Sequence, residues 1–513
     1  MAHEADMSSL QLVRLFWEGL KPAGTAVLVT LLSFWCILIA LWHWRTPSTA
    51  IAAPRIGKDP RAWGLRHARA HFVRNSKELT MCGYTRFKDS MYWVQTGDME
   101  RLVLPNRYVN NLRKLSDTHI DSKAAVVERN LGWYNRVDIV LKSTAHVEVC
   151  RTQLVKNLGK LSEVGDTMQF FNASDTMLNI VNQSTAKTLV GEPLCFDQNW
   201  LRICLETTVN TGLVCRRLQQ LPSLFRSVVC PFTEAKRALD RDFNAAKSIL
   251  SCQIQSRQAG HQNIDILQWL IDDAKQDELD VPFLTNQILF IAIAATRSTA
   301  TSIVNILLDL VAHPEYQAEL REDIDMGLAD ANGWGLDAIQ RMMKLDSFIK
   351  ESHRLNHHLL LSFNRKVRKP IHLADVDVTI PAGTFISTPA YWTARDPLLF
   401  PPGPDGDAFD PWRWLRLRQA AEREGQSTVP YLASSTSSSN LHWGYGRNAC
   451  PGRAMAVAEI KLLLAWILKH FEISLPLDQG TCRPDSVFLD ERVMPDPKQM
   501  IGFRVREIAS IAH

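Results

Sequence analysis

One stretch limits the folds open to this chain more than any other: PFLTNQILFIAIAATRSTATSIVNILLDLVAHP, from Pro282 to Pro314. It is apolar nearly all round and bracketed by prolines, so it reads as a single helix about 45 Å long. A helix that is apolar on every side lies either in a bilayer or through the centre of a large domain. Arg297, among Thr296, Ser298 and Thr299, decides for the second, because a centrally placed Arg costs about 2.5–3.5 kcal/mol on insertion scales. A core of that size needs several hundred residues, and the chain has 513. At 46% hydrophobic and 22% charged it is too apolar for a disordered protein. Its net charge of +4 gives no reason to expect a nucleic-acid partner, which needs a clustered basic face. The remainder is mostly helical by pattern, while LLLSFNRKV (359–367) and VDVTIPAGTFIST (376–388) alternate as strands do. The fold class expected is therefore mainly α with a minor β-sheet.

The N-terminal part differs in character. Between Lys21 and Arg45 lie 23 residues without a charged side chain, enough for a helix of about 35 Å that spans a bilayer. Trp42 and Trp44 suit one membrane interface, and bulky Trp in place of small residues argues against a cleaved signal peptide. Residues 45–69 carry six arginines and lysines against Asp59, so the body of the chain is expected on the cytosolic side. The sequons at Asn172 and Asn182 then stay unglycosylated. The expected division is a lumenal tail (1–22), a transmembrane signal anchor (23–44), a stiff Pro-rich linker (45–60) holding Pro47, Pro54 and Pro60, and one catalytic domain (61–513). SSTSSSN at 434–440 reads as a surface loop.

Ten cysteines are scattered with no C-x-x-C pair, as expected of reduced thiols. Nine read as small buried hydrophobes. Cys450 is different. In LHWGYGRNACPGRAMAVAEIKLLLAWILKHF (441–471) it is framed by Gly444, Gly446 and Gly452 and followed by an apolar helix. Glycines let a backbone lie flat against a planar ligand, and a cysteine just before a helix start sits at the positive end of the dipole, which favours thiolate. Together these describe one thiolate ligand under something large and flat.

At these residues the chain resembles a known family. WGYGRNACPG is similar to the haem-binding loop of cytochrome P450 enzymes; Glu351-Ser-His-Arg354 resembles their E-x-x-R, Phe409-Asp-Pro-Trp-Arg413 their downstream arginine segment, and Ala294-Ala-Thr-Arg-Ser-Thr299 their oxygen-activation motif. The resemblance covers roughly residues 60–510. It implies a cytochrome P450 fold preceded by one transmembrane helix, with haem b (iron protoporphyrin IX) as cofactor and Cys450 as axial ligand of the iron. Glu351, Arg354 and Arg413 are then a buried structural charge network. Arg365 is a propionate-binding arginine. Asn448 stands where the family has Arg or His, a weaker propionate contact that Arg447 does or does not compensate, and Gly444 is part of the loop. The implied partners are O2, an NADPH-cytochrome P450 reductase that supplies electrons singly from NADPH, a hydrophobic substrate and a lipid bilayer. The implied place is the endoplasmic reticulum membrane, single-pass, with the catalytic domain cytosolic.

The chain departs from the family at the oxygen-activation motif. Arg297 holds the acid position and cannot act as an acid, since it stays charged. Ser298 still offers a hydroxyl, and Thr299 is a substitute alcohol. Arg297 either binds a carboxylate of the substrate or of a nearby side chain, or points away from the pocket. LQWLIDDA (267–274), LVGEPLC (189–195) and DLVAHPEYQAELREDI (309–324) look like fungal secondary-metabolism members, whose substrates are often terpenoid. Leu359, Leu360 and Leu361 either line the pocket or belong to the core. Three activities stay open at this point: an O2- and NADPH-dependent monooxygenase, a haem-thiolate isomerase or dehydratase needing no external O2, and a non-catalytic membrane-anchored haem binder.

Overall fold

The long apolar segment forms one helix, and the other elements are arranged around it. The computed structural model describes residues 51–142, 167–260, 263–273, 279–400 and 406–506, together with residues 26, 27, 29, 30 and 33–35. The expected membrane anchor, apart from those few helical residues, lies outside the described residues, as does the tail before it.

Eight helices frame the site: α1 (Ala173–Val190), α2 (Gln198–Gln219), α3 (Glu234–Gln258), α4 (Val281–Ala312), α5 (Gln317–Asp330), α6 (Met343–Leu355), α7 (Arg413–Arg423) and α8 (Arg453–His470). The central helix α4 has 32 residues, about 48 Å of rise. It starts where the Asp280 carboxylate accepts the Phe283 N–H at 3.2 Å, with Pro282 in its first turn, and stops at His313-Pro314. Two apolar clusters share it. Ile303, Leu307 and Leu310 pack with Leu320 of α5, Phe348 of α6 and Leu464 of α8. Ile288 and Leu289 pack with Leu189 of α1, Ile203 of α2 and Leu250 of α3. Each fully buried aliphatic side chain contributes about 1.5–3 kcal/mol, so α4 is held in place by packing rather than by helix propensity.

The strands are short: β1 (Arg55–Ile56), β2 (Tyr92–Gln95), β3 (Glu100–Val103), β4 (Ile120–Asp121), β5 (Gln169–Asn172), β6 (Ser362–Val367), β7 (Ile371–Leu373), β8 (Val378–Ile380), β9 (Phe385–Thr388), β10 (Phe471–Ser474), β11 (Ser486–Leu489), β12 (Arg492–Pro495) and β13 (Met500–Val505). The main sheet runs β1-β2-β3-β9-β6-β4; β10-β13-β5, β11-β12 and β7-β8 are small satellites. The segment read as one strand pattern over 376–388 is two strands in different sheets, β8 and β9, because Pro381 and Gly383 turn the chain between them. This is a helical body with a minor sheet.

One expectation changes, and the sequons gain a structural role. Residues 51–60 are not a free linker: Ile51 is buried, its carbonyl accepts the Trp93 indole N–H at 3.3 Å, and β1 pairs in parallel with β2. Pro54 directly precedes β1 and Pro60 opens a helical turn, positions where Pro is tolerated; Pro47 lies outside the described residues. The sequons are structural: Asn172 caps α1 by accepting the Asp175 N–H, and Asn182 is buried and donates to the Leu201 carbonyl.

Candidate active site

Although α4 is buried on most sides, Ala294, Arg297 and Ser298 are exposed, and Ile293 and Thr301 are half-buried on the same face. Spacing of three and four residues places them in one stripe. An open stripe midway along an otherwise buried helix is where a chamber wall is expected, since a core helix has no other reason to leave a face uncovered. The Ser298 hydroxyl donates to the Ala294 carbonyl at 2.8 Å, and the Thr301 hydroxyl to the Arg297 carbonyl at 2.9 Å. Thr299 turns into the core on the other side of the helix, and Thr301, passed over in the sequence, is the second alcohol on the stripe. Among the described residues no carboxylate lies within ion-pairing reach of Arg297. Burial lowers its pKa, and the like charge of Arg492 lowers it further.

Cys450 sits in the turn before α8. Its N–H donates to the Trp443 carbonyl at 2.7 Å, and its own carbonyl accepts from Arg453 at 2.8 Å. The Trp443 indole donates to the Ala433 carbonyl at 2.9 Å. Gly444 and Gly446 take φ of +73° and +76°, which a side chain resists. A Cβ on Gly446 meets the Arg113 Cβ at 3.0 Å, and Arg113 lies over the Tyr445 ring. Gly446→Ala is therefore expected to cost about 1–2 kcal/mol from left-handed backbone strain, read as a lowered Tm. The dipole argument for a free thiolate does not prevail. Burial pushes the Cys450 thiol up, and the Gly452 N–H and Arg453 offset this only in part; a bound metal ion deprotonates such a thiol outright.

The loop is joined to α4 through a cluster of four imidazoles, of which His353 and His357 are buried and His358 and His442 half-buried. His442 stacks on His353 with centroids 4.0 Å apart and lies 4.8 Å from the ring of His358. His358 Nε2 is 3.2 Å from the Ser302 hydroxyl on α4, one turn beyond Ser298. Nothing in the sequence pattern announces this cluster, since His353, His357, His358 and His442 lie in two separate segments.

Beneath the loop, Glu351 is fully buried. Arg354 donates Nη2 to Glu351 Oε1 at 2.7 Å and Nε to Oε2 at 3.0 Å, and Arg413 donates Nε to Oε1 at 3.3 Å. The Trp414 indole adds 3.0 Å to Oε2, and the Asp410 N–H 3.2 Å to Oε1. Arg354 also donates to the carbonyls of Ala394 and Ala408. One carboxylate thus holds α6, α7 and the chain between them.

Arg365 on β6 is buried, lies over the Phe363 ring, and among the described residues its guanidinium bonds only the neighbouring Asn364 carbonyl, at 2.9 Å. Burial lowers its pKa to about 10, with Asp117 and Asp121 opposing. A buried guanidinium so sparsely satisfied suits an incoming carboxylate. Arg447 donates to the Leu115 carbonyl at 3.4 Å and Asn448 to the Asp117 carboxylate at 3.1 Å. The glycine-framed thiol, the open wall of α4 and the under-bonded Arg365 fit a haem.

The cytochrome P450 family model matches residues 141–503, and the chain belongs to that family: it is a cytochrome P450 monooxygenase. It is 31% identical to the cytochrome P450 monooxygenase olcJ of Penicillium canescens over 93% of this chain and 92% of that one. It is 29% identical to an ent-kaurene oxidase of Gibberella intermedia, over 92% and 93%. A solved cyanobacterial relative, CYP120A1 with retinoic acid bound, shares the fold at a TM-score of 0.62 with 16% identity, over 88% of this chain and 99% of that one.

Proposed function

We propose that this protein is a membrane-anchored haem-thiolate monooxygenase that hydroxylates or otherwise oxidises a hydrophobic, terpenoid-type intermediate of fungal secondary metabolism. The observation that carries this reading is the open stripe on α4, whose next turn is joined through His358 and His442 to the loop of Cys450. Bound haem supplies the activation of O2. The chain's own residues have separate tasks. Cys450 is the iron ligand, Arg365 holds a propionate, and Gly444 and Gly446 let the loop lie flat. Arg447 and Asn448 brace that loop against residues 115–117. Glu351, Arg354 and Arg413 fix the chain beneath it. Ser298 and Thr301 hold hydroxyl protons at the chamber wall, where an ordered water can take over from the missing acid. Apolar residues of α4 and the segment 359–361 exclude bulk water.

Electrons come from NADPH through a flavin reductase. Residues 23–44 form the anchor, with 1–22 lumenal and the body on the cytosolic face of the endoplasmic reticulum. Exposed Leu224, Val228 and Phe232, beside the stack of Trp35 on Phe225 at 4.4 Å, give an apolar patch suited to the bilayer surface.

The test is a microsomal preparation with reductase, NADPH and a panel of terpenoids. Product containing isotopic oxygen from O2 is expected, and Cys450→Ser is expected to lose both the thiolate spectrum of the reduced carbon monoxide complex and all turnover. Conversion that continues without O2 or NADPH would replace this reading with an isomerase or dehydratase.

A further inference from the structure

Two cations beside the open face of α4 have no counter-charge among the described residues. Arg297 projects from the open stripe, next to Ser298. Arg492 begins β12, which packs along α4. The start of that strand is fixed beside the chamber: Arg492 bridges to Leu359, the Leu360 N–H donates to the Glu491 carbonyl at 2.8 Å, and the Val493 N–H to the His358 carbonyl at 2.9 Å. Arg492 also lies close enough to Arg297 to depress its pKa.

The acids around this pair are committed elsewhere. Glu491 is paired with Arg101 at 2.6 Å and with Arg129. Asp490 accepts the Gly97 N–H at 2.9 Å. Asp309, further along α4, is held by Arg483, Ser352 and Asn356. Among the described residues neither Arg297 nor Arg492 makes a hydrogen bond or ion pair through its side chain.

Arg297 on the open stripe and Arg492 on the strand packed along α4 carry like charge, which depresses Arg297, and their planar donor forks go unmatched. A carboxylate between them removes both penalties. Haem propionates do not account for the pair on this reading, because Arg365 on β6 is placed for them. A family acid has been exchanged here for a fixed positive charge, and that changes what the chamber attracts.

We propose that Arg297 and Arg492 form a carboxylate subsite, and that the natural substrate is an apolar carboxylic acid bound by its acid end while the distal hydrocarbon is oxidised. This rests on the monooxygenase reading and narrows its substrate class. The reaction supplying the substrate then has to be one that leaves a free acid.

The experiment titrates haem-loaded enzyme with benzoate, laurate and abietate, each against its methyl ester, following the spectral shift of the haem. At least one acid is expected to bind about tenfold or more tightly than its ester, the gain of a charge-assisted hydrogen-bonded pair. In the Arg297→Gln, Arg492→Gln double variant that advantage is expected to fall to about unity. The single variant Arg492→Gln, on an exposed strand residue, is expected to lose part of it. Acid preference in none of the pairs overturns the proposal, as does a preference that survives the double variant. Loss of haem from the double variant with retention in wild type also overturns it, by assigning the pair to the propionates. NADPH-dependent oxygenation of a neutral terpenoid, with no acid preferred, sinks the subsite and leaves the monooxygenase standing. Absence of a thiolate spectrum in wild type sinks the broader reading itself.

Discussion

Glu351→Gln is expected to destabilise the folded chain by about 3–5 kcal/mol, the cost of leaving a buried ion pair without one partner. The substitution is nearly isosteric, so it opens no cavity and isolates the charge. Glu351 is fully buried and bonds Arg354 twice, Arg413 once, the Trp414 indole and the Asp410 N–H. A neutral amide still accepts at its oxygen, but its NH2 faces donors, and two guanidiniums remain in a site that hydrates neither. Arg413→Gln should cost less, because Arg354 still balances the carboxylate. The measurement is the urea midpoint of each variant together with its haem content. The discriminating result is their order: equal losses for Glu351→Gln and Arg413→Gln would mean that the carboxylate is not the centre of the network. A surface ion pair such as Arg202–Glu206, with both side chains about half exposed, gives the control; its loss should cost well under about 1 kcal/mol.

The parts of this molecule legible in the sequence are those that local pattern determines. The central helix declares itself by length, all-round apolarity and its bracketing prolines, and its observed ends, Val281 and Ala312, differ from the expectation by a residue or two. The carboxylate and guanidinium of E-x-x-R lie one turn apart, so their contact follows from helix geometry. Other features depend on segments meeting across the fold. Trp414 and the Asp410 N–H join Glu351 only because α7 returns over α6. Thr301 emerges over Thr299 because packing decides which face of α4 stays open, and a helix apolar on all sides carries no phase from which to read that. The Pro-rich stretch misleads for a related reason: proline spacing describes backbone stiffness, while the parallel pairing of β1 with β2 depends on residues almost forty positions away. Arg492 had no local signal, since an arginine on a hairpin strand becomes interesting only when α4 presents another.

Acid sensitivity is the second large effect, and it comes from the histidine cluster. His357 and His358 are each pushed down to about 4 by burial, and His353 and His442 lie well below the ordinary 6.5 through burial and mutual repulsion. Lys350 and Arg395, packed around them, push the same way. The native state therefore keeps these imidazoles neutral where the unfolded chain protonates them, so stability falls as pH drops from 6.5 toward 4. A gap of that size is worth about 3 kcal/mol for a single imidazole. Glu459 works in the opposite direction: burial raises it to about 7, so its contribution is present below the ordinary carboxylate range and is lost as pH rises through 7. Burial also raises Asp242, Asp309, Asp323 and Asp490, which act with Glu459. Lys350, lowered to about 7, acts with the imidazoles, mostly above pH 6.5. The four imidazoles set the net slope between pH 4.5 and 6.5 as loss of stability with acid. Asp98, held low by Arg101 and Arg129, matters only below that window. His442→Phe keeps the stacking surface against His353 while removing one titrating ring and its repulsion of the others. Its urea midpoint is expected to fall less steeply between pH 6.5 and 4.5 than that of the wild type, and Glu459→Gln to fall more steeply. Parallel pH profiles for all three proteins would show that the clustered imidazoles do not govern the acid limb.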